Sequence, residues 1–342
     1  MDFQHYQKKF TEKALQAGYS ADKISKCLAY AEKLFDSGVP VIYNMEHLSG
    51  LVGYNTTYIS RAIDHTEYFY KTFDVPKRNG DKRKISEPLP SLKEIQYWIL
   101  HEILYKVEPS VYAKAYVPLS SLKQNLIFHR NQPTVLTLDI KDFFTSINRV
   151  KIGNVFKTLG YSLVMANLLS KLCSLEDSLP QGAPTSPYLS NLILKDFDDE
   201  IALFCLPQKI RYTRYADDLA FSGTFNKNEI ITKVEQLLKK TGLVLNQEKT
   251  KLMAKGDRQI VTGIVVNEKL QARKELRLEI RQQMYFIKKF GMASHIEKIK
   301  NEKANYFHHL LGQINFIIYL NQDDKEFIEY RQYLNDLNRQ KA

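Results

Sequence analysis

The chain has 342 residues, 44% of them apolar, and carries 49 Lys and Arg against 38 Asp and Glu, a formal net charge of +11. That excess of cations points to a polyanion as partner and to salt-sensitive binding, with a merely soluble basic protein as the other reading, while the apolar content suffices for one large core or two or three smaller ones. Cys27, Cys173 and Cys205, odd in number and far apart, suggest neither a disulfide framework nor a zinc site; no opening signal peptide or membrane-length apolar run is present, so the cytosol is the expected compartment.

Residues 1–38 read as two helices: Phe3, Tyr6, Phe10, Ala14 and Ala17 share one face, and Ser20 caps a second helix bearing Ile24, Leu28, Ala31 and Phe35. Residues 47–63 have the spacing of a helix-turn-helix, with Gly53 at the turn and Asn55 as cap. Duplex binding and a helical lead-in to a larger fold are both consistent with it. Residues 75–85 set basic side chains on both sides of an Asn-Gly turn, which makes a basic hairpin, and 92–104 has helical periodicity through Ile95, Ile99 and Ile103.

Residues 135–140 alternate like a strand and carry Asp139 near their end. Gln181 and Gly182 follow Pro180 in a rigid loop that leads into an apolar helix over 188–197. Residues 210–215 and 219–222 flank a gap too short for a helix and read as a hairpin with Asp217 and Asp218 at its tip. Adjacent carboxylates among apolar strands raise each other's pKa unless a cation compensates them, so the pair asks for a divalent metal. A sheet joining the hairpin to the strand of Asp139 would gather three carboxylates, a set suited to two Mg²⁺ ions about 4 Å apart that activate an attacking hydroxyl and stabilise a leaving pyrophosphate. An amphipathic helix over 227–240 follows, then a strand over 260–266 and a helix over 273–291 with Arg273, Arg277 and Arg281 at four-residue spacing. Helices over 304–320 and 325–338 complete a small bundle.

Several blocks occur together in one order: Leu138-Asp-Ile-Lys-Asp-Phe-Phe144, Leu179-Pro-Gln-Gly-Ala-Pro-Thr-Ser-Pro187, Tyr215-Ala-Asp-Asp218, Gly242-Leu-Val-Leu-Asn-Gln-Glu-Lys-Thr250 and Val261-Thr-Gly263. In these the chain resembles reverse transcriptases, and Asn125-Leu-Ile-Phe-His129 with Val261-Thr-Gly263 resembles the retron branch. Leu126 stands where that branch has Ala, and Pro118-Leu-Ser-Ser121 where it has Gly-Arg-Ser.

The resemblance implies an α+β right-hand polymerase: a helical N-terminal extension (1–70), fingers (71–136), a palm with an antiparallel sheet (137–271, with a fingers-like insertion at about 150–180) and a helical thumb (272–342). It implies Asp139, Asp217 and Asp218 as catalytic metal ligands, joined by the Ile140 carbonyl. Lys77 and Arg83 would contact the triphosphate of the incoming dNTP. Phe144 would exclude a 2′-hydroxyl, with core packing as its other reading. Gln181 and Gly182 would lie under the nascent pair, and Lys249 would assist pyrophosphate departure unless it is only solvated. Asn125, His129, Val261, Thr262 and Gly263 would lie at RNA or primer, with a purely structural His129 equally open; Arg273, Arg277 and Arg281 would grip backbone phosphates, with a solvated basic face as the alternative.

The implied activity is RNA-directed DNA synthesis on a cognate structured noncoding RNA, primed from a guanosine 2′-hydroxyl, giving RNA-linked short single-stranded DNA in antiphage defence. An accessory effector protein and a host RNase H are the implied partners. Another bacterial defence, intron or diversity-generating reverse transcriptase would share the same palm residues. A non-enzymatic RNA scaffold or helix-turn-helix protein is disfavoured by the presence of all three aspartates.

Overall fold

The computed structural model describes residues 2–76, 80–299 and 305–339; Lys77, and the first residue of the helix expected over 304–320, lie outside them. The chain forms two compact units, each assembled from separated stretches. The first takes Met1–Leu119, Ile140–Leu203 and Ile231–Asn246, and the second takes Ser120–Asp139, Phe204–Ile230 and Gln247–Ala342.

The first unit opens on four helices, Phe3–Gln16, Ala21–Asp36, Met45–Val52 and Thr56–Asp64, each begun by a side-chain oxygen: Asp2, Ser20, Asn44 and Asn55 accept from the backbone N–H three residues on. Such a cap satisfies one of the otherwise unpaired first-turn N–H groups and contributes about 1 kcal/mol. Gly53 ends the third helix with φ +78, a left-handed conformation that glycine adopts without a Cβ penalty. Strands β1 (Tyr70–Pro76) and β2 (Lys82–Pro88) then pair antiparallel, with Val75 opposite Arg83, a longer hairpin than the short runs flanking the turn suggest. The next helix, Pro90–Glu102, buries Leu92, Ile95 and Ile99. Its buried Gln96 amide donates to Tyr70 Oη and to the Leu172 carbonyl, 2.8 Å each, which ties β1 to the helix Leu163–Leu172.

That helix and its partner Arg149–Thr158 lie within the stretch 150–180 and just before it. The single helix expected over 188–197 is instead two, Ser186–Ile193 and Lys195–Cys205, divided at Leu194.

The second unit is built on a four-stranded antiparallel sheet of order β4-β5-β3-β6, with β3 Thr134–Asp139, β4 Arg211–Tyr215, β5 Asp218–Gly223 and β6 Lys251–Ala254. The strand expected over 260–266 reverses on itself as β7 (Ile260–Val261) and β8 (Ile264–Val265), because Thr262 and Gly263 both take positive φ, +48 and +80. Val135, Ala220 and Met253 of the sheet share one core with Val261 and Ile264 and with Ile280, Met284 and Ile287 of the helix Lys274–Phe290. Each fully buried Val, Ile or Met among them contributes roughly 1.5–3 kcal/mol over its exposed state.

The basic stripe expected on that helix is corrected by its surroundings. Arg277 is bonded to Asp324 and lies 4.5 Å over the Phe327 ring, and Arg281 makes a two-pronged pair with Glu326 at 2.7 Å per contact. Both cations are thereby spent on the start of the helix Lys325–Arg339, whose acidic first turn they clamp. They close the helical bundle and do not present a free phosphate-gripping face.

Candidate active site

The β4–β5 hairpin holds Ala216 and Asp217 as its two loop residues between the paired Tyr215 and Asp218. Ala216 has φ +58, a conformation that costs a non-glycine residue about 1–3 kcal/mol. The fully buried Arg214 guanidinium holds it there by donating to the Ala216 carbonyl at 3.2 Å. On the other side of β5, Asp218 stands directly opposite Asp139 of β3. The pairing expected from strand periodicity thus brings the third aspartate to the hairpin tip.

Asp139 is buried, and Lys249 Nζ donates to both of its carboxylate oxygens at 2.9 and 3.0 Å. Burial, then the charges of Asp217 and Asp139, push the Asp218 carboxyl up to about 7, with Lys249 partly opposing them. For Lys249, burial pulls the ammonium's pKa down, but its hydrogen bond to Asp139 and the field of the three carboxylates outweigh that and raise it. Among the described residues no three or more His, Cys, Asp or Glu side chains stand as a ready-made metal cage. The donor set nonetheless fits a hard divalent cation: three carboxylates gather at one strand end, burial and then like charge raise the Asp218 carboxyl, and the Lys249 ammonium pairs with Asp139.

Asp139, Asp218 and Lys249 line an open cleft of about 640 Å³ together with Thr262, Gly263 and Arg273. Arg273 Nε donates to the Gly263 carbonyl at 3.1 Å, and a Cβ on Gly263 would meet that guanidinium at 3.2 Å. Val261 is buried beneath the turn.

Asn125 and His129, on the helix Leu122–Phe128 and its C-cap, are both buried. Thr213 Oγ1 donates to Asn125 Oδ1 at 2.6 Å, so His129 Nε2 donates to Thr213 (2.7 Å) and His129 Nδ1 accepts from Ser222 (2.8 Å). Asn125 Nδ2 then donates to Thr262 Oγ1 at 3.5 Å. Burial, with Arg211 nearby, holds His129 neutral, its pKa down to about 3. One polar chain thus ties β5, β4 and the Thr262–Gly263 turn together. Of the two readings of His129, the structural one fits, and direct RNA contact by Asn125 or His129 gives way to positioning of the turn.

The remaining expected residues belong to the first unit. Ile140 is buried and bridges to Leu245. Phe143 is the buried ring of its pair, and Phe144 stands half-exposed with its ring 5.2 Å away. Asp142 is an exposed turn residue with φ +46. Arg83 is exposed on β2. Gln181 accepts from Ser86 N–H of β2 through its backbone carbonyl at 2.8 Å, and Gly182, φ +133, lies where a Cβ would come 2.7 Å from the Ser86 carbonyl. Gly182→Ala is therefore expected to lower stability by about 1–3 kcal/mol in chemical denaturation; an unchanged midpoint would show that the loop does not need its close approach to β2.

Sequence reasoning missed Arg214, Thr213 and Ser222. An arginine inside a β-rich run on the parity of Tyr212 was the available signal for Arg214. The two hydroxyls carried none, because their partner His129 is 84 and 93 residues away.

A sheet that sets paired aspartates against a third, beside a lysine and an arginine-held turn, is an arrangement able to support metal-assisted nucleotidyl transfer. Residues 75–307 match the family described as Reverse transcriptase (RNA-dependent DNA polymerase). Retron Ec86 reverse transcriptase of Escherichia coli is 30% identical over 312 residues, spanning 90% of this chain and 93% of that protein. Retron Mx65 reverse transcriptase of Myxococcus xanthus is 29% identical over 323 residues, spanning 86% and 72%. The chain belongs to the reverse transcriptase family, with the retron enzymes of bacteria, and is an RNA-directed DNA polymerase of right-hand α+β fold. Telomerase from Candida albicans, solved with a telomeric RNA fragment, is similar at TM-score 0.43 and 10% identity over 78% of this chain and 64% of that one, a likeness too loose to assign anything. Among the described residues no helix is long and apolar enough to cross a membrane.

Proposed function

We propose that this enzyme copies a structured noncoding RNA of its own locus into short single-stranded DNA that stays joined to the RNA, priming from a guanosine 2′-hydroxyl, in antiphage defence with an accessory effector protein. The observation that carries this reading is the identity to a retron reverse transcriptase along nine-tenths of the chain. Host RNase H removes copied template in this scheme, and the cytosol is its setting. The division into N-terminal extension (1–70), fingers (71–136), palm (137–271) and thumb (272–342) belongs to the same reading.

In this scheme Asp139, Asp217 and Asp218, with the Ile140 carbonyl, hold two Mg²⁺ ions. When bound, the ions supply activation of the attacking hydroxyl and charge stabilisation of the leaving pyrophosphate. Lys249, whose proton the carboxylates hold at Nζ, is then placed to protonate the leaving group. Arg83 and Lys77 bind the triphosphate, Phe144 limits the sugar, and Gln181 with Gly182 supports the nascent pair. Val261, Thr262, Gly263 and Arg273 face the primer, with Asn125 and His129 behind them.

The test is to express the gene with its native flanking DNA, purify the protein and digest its nucleic acid with RNase. A short DNA of one sequence carrying a branched RNA remnant is expected. DNA without a branch would overturn the priming scheme and place the enzyme with another reverse transcriptase class; bound RNA with no DNA would overturn the reading altogether.

A further inference from the structure

A second cleft lies in the first unit, about 760 Å³ in volume, between the helices Phe3–Gln16 and Ala21–Asp36 and the segment at Tyr43. Four aromatic rings line it. Tyr6 and Phe10 stack at 5.8 Å, Phe10 and Tyr43 meet at 5.7 Å, and Tyr19 is 55% exposed at the mouth. The Tyr6 and Tyr43 hydroxyls bond each other at 2.8 Å, which consumes polar groups that would otherwise need water in the cleft. Lys9 and Lys13, one helical turn apart, are exposed on its rim, and Lys23 lies 6.0 Å over the Tyr19 ring. No acidic side chain lines it among the described residues, and neither Lys9 nor Lys13 has an acidic partner among them.

We propose that this cleft is a binding site for single-stranded nucleic acid, separate from the polymerase cleft. Rings arrayed beside lysines are the chemistry that stacks unpaired bases while neutralising their phosphates. A groove built to receive a partner helix is lined instead by flexible aliphatic or Met side chains. Here the only aliphatic side chains in the lining are Ile24, Ala14 and Ala17. The charge is also one-sided, which favours a polyanion over a protein surface of mixed sign.

The test uses the full chain and a 12-nucleotide single-stranded RNA of uridine and 5-iodouridine. Wild type is expected to cross-link through Tyr19 or Phe10. Joint replacement Lys9→Glu, Lys13→Glu and Lys23→Glu should weaken binding at least tenfold and make the log K against log salt slope shallower by about 2, from roughly 0.7 per lost phosphate contact. Primer extension on a preformed template–primer should be unchanged in rate. Tyr19→Ala, which alters only an exposed ring, should lose its share of cross-linking with the salt slope intact. Unchanged affinity and slope in the triple variant, or cross-links confined to residues outside 6–44, would overturn the proposal. So would binding of an acidic amphipathic peptide in the cleft with no effect of the variants on RNA.

Discussion

Replacing Asp217→Asn and Asp218→Asn together is expected to leave binding of template RNA as in wild type and to slow primer extension by at least ~10³-fold, the loss that follows when several kcal/mol of charge stabilisation disappear from the transition state. The two amides keep the shape of the hairpin, whose turn is held by Arg214 on the Ala216 carbonyl, so the loss is chemical. They also remove the like charges that push Asp218 up and that help raise Lys249. The variant is therefore expected to be at least as stable as wild type at neutral pH. Single-turnover extension together with an RNA-binding isotherm checks both parts. Full activity in the double variant would remove the proposed cation site.

His129 gives the second large effect, on stability. Its ring satisfies two buried hydroxyls, Ser222 and Thr213, and a leucine there satisfies neither. His129→Leu should cost about 2–4 kcal/mol, the usual penalty for orphaning buried polar groups. The pH dependence has a definite sign. An unfolded histidine takes a proton near 6.5, the folded one only near 3. Between those values the unfolded state binds more protons, so stability falls as pH falls, by up to about 1.4 kcal/mol per unit, and the contribution is complete above the unfolded value. His129→Gln keeps hydrogen-bonding capacity and removes the titration. Its denaturation midpoint should drop less between pH 7 and pH 5 than that of wild type, and equal drops would show that His129 is charged in the folded protein. A turn-positioning role adds a kinetic signature: His129→Gln should raise KM for template–primer more than it lowers kcat, since Thr262 sits on the wall of the cleft.

The parts of this fold that were legible in sequence are those governed by local chemistry. Asn55 and Ser20 cap helices because a side-chain oxygen three residues before a free N–H needs no distant partner. Asp139 could be set beside Asp217 and Asp218 in advance because an alternating strand ending near Asp139 gathers three carboxylates once it pairs with the hairpin, as it does. What stayed hidden depends on residues distant in the chain. Arg277 and Arg281 look like a cationic stripe until Asp324 and Glu326, 45 or more residues later, fold onto them. The reversal at Thr262 and Gly263 was hidden by an apolar run that reads as one strand, although Gly263 marked where the backbone turns. His129 could be read as ligand or as packing until its hydroxyl partners were located on β4 and β5. The interleaving of three stretches into each unit leaves no local trace, because it is set by which surfaces the helices and sheet bury.

The most direct measurement is single-nucleotide incorporation on an RNA template–primer, followed against Mg²⁺ concentration at pH 6, 7 and 8. Incorporation should be absent in EDTA and recover on adding Mg²⁺, with a Mg²⁺ requirement that grows as pH falls through about 7, where a proton competes with the cation for Asp218. Incorporation that persists in EDTA, or a Mg²⁺ requirement equal at all three pH values in wild type and Asp218→Asn, would contradict a cation site at Asp139, Asp217 and Asp218.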